Sequence, residues 1–152
     1  MKKVLIAIDY NPVSEKVIEE GYKLAKLMDA EICLFHVVTD IGYYQTGYPA
    51  FIGYEGYSMA PEINPVNEVR SRGEDFLAAA VNHLDDPRVS TKMAEGDTAK
   101  AILRYAEEWP ADLIVMGTHS HSALEKLLMG TVASSVIEKT PIPVYLVPVK
   151  QD

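Results

Sequence analysis

The sequence predicts an α/β fold, Rossmann-like in plan, with a parallel sheet and helices on both faces. Three observations carry this. Runs such as "KVLIAID", "EICLFHVV" and "DLIVMG" are continuously apolar, as strands buried on both faces are. Amphipathic stretches with helical spacing separate them. The resulting order is β-α-β-α-β-α-β-α-β, and that alternation requires parallel strands joined by right-handed crossovers.

The first strand, "KVLIAID", ends in Asp9. In the helix that follows, Asn11 suits the N-cap and Pro12 the first turn. Val13, Val17, Leu24 and Met28 fall on one face, which Ile18, Gly21 and Ala25 widen. "EICLFHVV" is the second strand. A second helix runs from Asn67 to Leu84 with Phe76, Leu77, Ala80, Val81 and Leu84 inward. "RVSTKMAEG" alternates weakly and reads as an edge strand. Asp97 or Thr98 caps a third helix that carries Ile102, Tyr105, Ala106 and Trp109, and Pro110 stops it. "DLIVMG" is the fourth strand, and Thr131 to Lys139 the last helix. In the final strand, "PVYLVPV", Pro148 removes a ladder donor and so places the strand at an edge. The stretch from Asp40 to Pro65 has no period and is rich in Gly, Tyr and Pro. It reads as a lid, a linker or a subunit contact. Residues 1–152 read as one domain with this insert at about 40–65.

Composition narrows the function. Hydrophobic residues make up 48% and charged residues 24%, the balance of a soluble globular chain. No apolar run approaches the roughly 20 residues of a membrane span. The opening "MKKVLIAIDY" has too short an apolar part for a signal peptide. The single cysteine, Cys33, reads as a buried thiol and fits a reducing cytoplasm. A net charge of −8 argues against nucleic acid as a partner. It leaves open a small phosphate ligand, which helix N-termini hold without basic side chains.

Parallel sheets bind ligands outside the carboxyl ends of their strands, where strand order reverses. If the first and fourth strands are central, Asp9 and Gly117 end side by side there. The stretch "MGTHSHSALEKLLMGT" then forms one wall. Gly117 permits a tight turn, and Gly130-Thr131 opens a helix whose free amides and dipole attract anions. Backbone amides near Ser120 and Gly130, with the Ser120 and Thr131 hydroxyls, suit a polyphosphate. Asp9 suits ribose hydroxyls, a magnesium ion, or the cap of the next helix. His119 and His121 are close enough to share a metal, but zinc needs three or four protein ligands and no cysteine or carboxylate cluster accompanies them. No protein metal site is assigned. His36 reads as a satisfied core histidine, and Lys126 as a solvated helical lysine. Nucleophile-elbow and Walker-type patterns are absent, so no catalytic residue is assigned.

"KVLIAID", "LFHVV", "GDTAKAILRYAEEWPADLIVMGTHSHSALEKLLMGTVASSVI" and "PIPVYLVPV" together resemble the universal stress protein family. The resemblance covers nearly the whole chain except the insert. It implies a five-stranded parallel sheet in order 3-2-1-4-5. It also implies a homodimer in which the last strands, Val144 to Val149, pair antiparallel. Family members that bind ATP carry Gly-x2-Gly-x9-Gly-[Ser/Thr]; here the pattern is Gly117-x2-Ser120-x9-Gly130-Thr131. The middle glycine is thus Ser120. A serine amide still donates where φ is negative; at positive φ serine costs about 1 kcal/mol or more. Carried over by position, Ala7 lies beside an adenine, Asp9 holds ribose or magnesium, and Val37 presents backbone groups to the base. Gly117, Ser120, Gly130, Thr131 and Val132 surround the phosphates, and Met116 lines the pocket; His119, from the residues alone, reads as a loop histidine that helps position phosphate. The implied ligand is ATP or another adenine nucleotide, with or without magnesium, in a cytoplasmic stress or regulatory protein that binds neither nucleic acid nor membrane. A dimeric adaptor without nucleotide and a slow ATP hydrolase are the alternatives.

Overall fold

The computed structural model describes residues 1–8, 14–39, 65–118 and 130–149. Along these the chain forms β1 (Lys3–Ile8), α1 (Ser14–Leu27), β2 (Glu31–Val38), α2 (Pro65–Leu84), β3 (Val89–Glu95), α3 (Thr98–Glu108), β4 (Leu113–Gly117), α4 (Thr131–Lys139) and β5 (Val144–Val147). The five strands lie parallel in the order β3-β2-β1-β4-β5. The chain steps outward from β1 to β3, then returns to the other side of β1 with β4. Strand order therefore reverses between β1 and β4, where Leu5 stands opposite Ile114 and Ile6 opposite Val115.

The continuous apolar runs follow from burial on both faces. Val4, Ile6 and Ile8 pack with Val17, Ile18, Ala25 and Leu77 beneath α1 and α2. Leu5 and Ala7 point the other way and pack with Ala101, Ile102, Ala106 and Val136 beneath α3 and α4. The side-chain period of a strand thus feeds two cores from one sequence. On the second face Phe35 stacks on Tyr105 with centroids 4.9 Å apart, and Tyr105 lies parallel to Trp109 at 6.3 Å. Cys33 is fully buried in this layer.

Two details differ from the sequence reading. On α1 the buried stripe is Ser14, Val17, Ile18, Gly21 and Ala25, whereas Leu24 and Met28 are half-buried. The helix turns its glycine toward the sheet. A Cβ on Gly21 would stand 2.8 Å from Ile6 Cδ1 and 3.1 Å from Val115 Cγ1. The absent side chain lets α1 sit close above β1 and β4. Asn11, Pro12 and Val13 lie outside the described residues. The last strand is also shorter than "PVYLVPV", ending at Val147 before Pro148, which has no N–H to continue the ladder.

The amino-terminal end of the sheet is pinned by polar bonds. Asp86 accepts from the Tyr22 hydroxyl at 2.9 Å and from both the backbone and the guanidinium of Arg88. Arg88 also reaches Asp29 at 3.1 Å. The Arg88 bonds hold the Asp86 carboxyl well below the usual carboxylate range. No helix among the described residues is long and apolar enough to cross a membrane.

Candidate functional site

At the opposite, carboxyl end of the sheet a cleft opens over the point where strand order reverses. Its walls come from three strands and three helices. Ala7 and Ile8 close β1, Phe35 and Val37 belong to β2, Met116 and Gly117 close β4, and Val132 and Ala133 open α4. Ser14, Val17, Thr98, Ile102 and Thr118 complete the lining. The lining is mostly apolar and none of these side chains is ionisable. Within this described lining, backbone groups and helix dipoles are what can attract an anion.

The first turn of α4 offers such groups. Gly130 is its N-cap, with φ −68° and ψ 161°, and makes no side-chain cap bond. The Gly130 N–H donates to the Thr118 carbonyl, and the Gly130 carbonyl accepts from the Ser134 amide and hydroxyl at 3.0 Å. The amides of Thr131, Val132 and Ala133 precede Ser134, the first intrahelical N–H donor, so the helix itself does not satisfy them. The neighbouring helix α3 is different. Its N-cap Asp97 accepts from the Lys100 amide at 2.9 Å, placing a carboxylate where an anion would otherwise sit. Between the starts of α3 and α4, that of α4 carries no side-chain cap and is open to an anion.

Of the residues singled out in the sequence, Ala7, Val37, Met116, Gly117 and Val132 line the cleft together. Gly130 and Thr131 adjoin Val132 at the start of α4 but are not part of the lining. Gly130 has negative φ, so its backbone does not demand glycine. Asp9, His119 and Ser120 lie outside the described residues. His36 is buried, with Nδ1 3.1 Å from the Ile8 carbonyl, as a core histidine should be. Among the described residues no group of His, Cys, Asp and Glu could hold a metal ion. Sequence reasoning missed Phe35, Ile102, Thr98 and Ser14. The apolar pair has the pattern of any core residue. Thr98 had a usable signal, since it follows an N-cap just beyond a strand's carboxyl end.

Comparison with known proteins assigns the class. The family model described as "Universal stress protein family" matches residues 1–148. Universal stress protein MJ0531 of Methanocaldococcus jannaschii is 32% identical over 148 residues, covering 96% of this chain and 81% of its own. The structure of universal stress protein UspA from Lactobacillus plantarum superposes with a TM-score of 0.77 at 18% identity, covering 96% of this chain and 97% of that one. A universal stress protein solved in complex with cAMP gives a TM-score of 0.61 at 20% identity, with 96% of each chain covered. The fold is that of these proteins, and the chain belongs to the universal stress protein family.

Proposed function

We propose that this protein binds ATP or another adenine nucleotide in the cleft at the carboxyl ends of β1 and β4, as a regulatory or stress-response homodimer. One observation carries the reading: a largely apolar cleft at the switch point whose wall includes the start of a helix capped only by glycine. An apolar pocket with a few directed polar groups suits a base, and uncapped amides suit phosphate. In this reading Ala7 and Val37 flank the adenine and Met116 lines the pocket. Gly117, Ser120, Gly130, Thr131 and Val132 surround the phosphates, with His119 beside them. Asp9 takes the ribose or a magnesium ion that arrives with the nucleotide. The cAMP complex of a relative supports a nucleotide as the ligand class.

The homodimer is proposed through the last strand, Val144 to Val149. Tyr145, on this edge strand, is 42% exposed, an apolar ring that a pairing strand would cover. The β3 edge instead exposes Ser90, Thr91 and Lys92, which discourage pairing. We assign the protein to the cytoplasm and give it no catalytic residue.

Thermal denaturation with and without Mg-ATP tests the reading. Ligand at about a hundred times its Kd adds roughly 2.7 kcal/mol, which raises Tm by about 5–10 °C in a chain of this size. No shift at millimolar nucleotide would leave the adaptor reading in its place. A shift accompanied by phosphate release would favour a slow hydrolase.

A further inference from the structure

Thr118 joins three elements with three different groups. Its N–H donates to the Val147 carbonyl at 3.0 Å, at the end of β5. Its Oγ1 accepts from the Val149 N–H at 3.2 Å. Its carbonyl accepts from the N–H of Gly130, the N-cap of α4. The backbone ladder between β4 and β5 runs to Gly117 opposite Val147. Pro148 then offers no donor, and the next N–H, that of Val149, is taken by a side chain instead. The same segment is held from the other face by Lys16, whose Nζ donates to the Pro148 carbonyl at 2.8 Å. Val149 itself is buried in the core beneath α1.

We infer that Thr118 is a positioning residue that couples the amino-terminus of α4 to the segment Val147–Val149 at the sheet's outer edge. The inference rests on the nucleotide reading above. Phosphate on the first turn of α4 holds Gly130, and Gly130 holds the Thr118 carbonyl. That restrains the residue whose hydroxyl fastens Val149. A nucleotide at the cleft therefore tightens the edge proposed for pairing with a second copy. By linkage, a partner on that edge strengthens nucleotide binding by the same factor.

Amide hydrogen exchange at Val149 tests this, because Pro148 has no amide to confuse the signal. It is read with and without saturating Mg-ATP in the wild type, Thr118→Val and Thr118→Ser. Valine keeps the shape and removes the acceptor; serine keeps the acceptor. In the wild type, nucleotide should slow exchange at Val149 about five-fold or more, the worth of one firmed hydrogen bond. Thr118→Val should exchange faster without ligand and show no slowing with it, and Thr118→Ser should restore the slowing. A purely structural hydroxyl would change the basal rate but leave the nucleotide effect intact, and that result overturns the inference. So does a wild type whose Tm rises with Mg-ATP while Val149 exchange stays constant. Complete loss of nucleotide binding in Thr118→Val also overturns it, since the hydroxyl would then serve the ligand directly. A wild type without any Tm shift removes the nucleotide reading itself, and the coupling falls with it.

Discussion

Gly21 is where helix α1 touches the sheet, and replacing it by alanine pits two effects of known sign against each other. Helix propensity favours alanine over glycine by about 1 kcal/mol in a helix interior. Packing opposes it. The new methyl would stand 2.8 Å from Ile6 Cδ1, 3.1 Å from Ile6 Cγ1 and 3.1 Å from Val115 Cγ1. Ile6 and Val115 are both fully buried, so neither can swing into solvent. Forcing a methylene into a filled core costs about 1–3 kcal/mol. The packing cost wins, and we expect a net loss of roughly 1 kcal/mol, or about 2–4 °C in Tm for a chain of this size. The assay is urea unfolding of wild type, Gly21→Ala, Ile6→Val and the double variant. Ile6→Val deletes Cδ1, the closest atom, and alone should cost about 0.5–1.5 kcal/mol. In the double variant the two losses should fall short of additivity by at least about 0.5 kcal/mol, because one relieves the other. A Gly21→Ala variant more stable than wild type would refute the close packing of α1 on β1 and β4.

Other outcomes follow from the same structure. Asp86→Asn should lower Tm at neutral pH by removing the carboxylate that Tyr22 and Arg88 share. The Asp86 carboxyl is depressed in the fold, so its contribution is full above its ordinary value near 3.8 and is lost as pH falls below it. The gap between wild type and variant in a pH series of melts should therefore narrow steadily as pH falls below about 3.8; a gap unchanged from neutral pH down to pH 2 would contradict the assignment. Burial, helped by the contact with Cys33, pushes Tyr105 up to about 12 from 10.0. The folded state keeps that proton longer than the unfolded chain, so stability is full below pH 10 and declines toward pH 12. Tyr105→Phe should flatten the decline, and an unchanged alkaline profile would count against it. Gly130→Val has a compatible φ of −68° at a buried position; with the unliganded melt read first as the control for folding, it should abolish the Mg-ATP shift in Tm by crowding the first turn of α4. A full shift in that variant would place the phosphates elsewhere.

The parts of the fold legible in the sequence are those governed by hydropathy period. The second strand, residues 31–38, and the last helix, residues 131–139, have the bounds their apolar patterns suggest. Strand order carries no residue signature and came through family resemblance alone. The inward face of α1 was read with Val17, Ile18, Gly21 and Ala25 on it, but Leu24 and Met28 were weighted above Gly21 by hydropathy, whereas Gly21 sits closest to the sheet because it has no side chain. The site divides in the same way. Gly117 was legible because it ends a strand beside the switch point, whereas Ala7 and Met116 came through the family resemblance by position. Phe35 and Ile102 were not, because a pocket floor and a core layer use the same residues. Thr118 was overlooked because its importance lies in hydrogen bonds to residues far along the chain.

Amide chemical shifts read the central claim residue by residue. Titrating ATP with magnesium into the isotopically labelled protein should move the resonances of Gly117, Gly130, Thr131 and Val132 at the phosphate end and of Ala7 and Val37 at the base end. Amides of the Asp86–Arg88 cluster, at the far end of the sheet, should stay in place. Unchanged resonances at millimolar nucleotide, or shifts confined to surfaces away from the carboxyl ends of β1 and β4, would contradict the account.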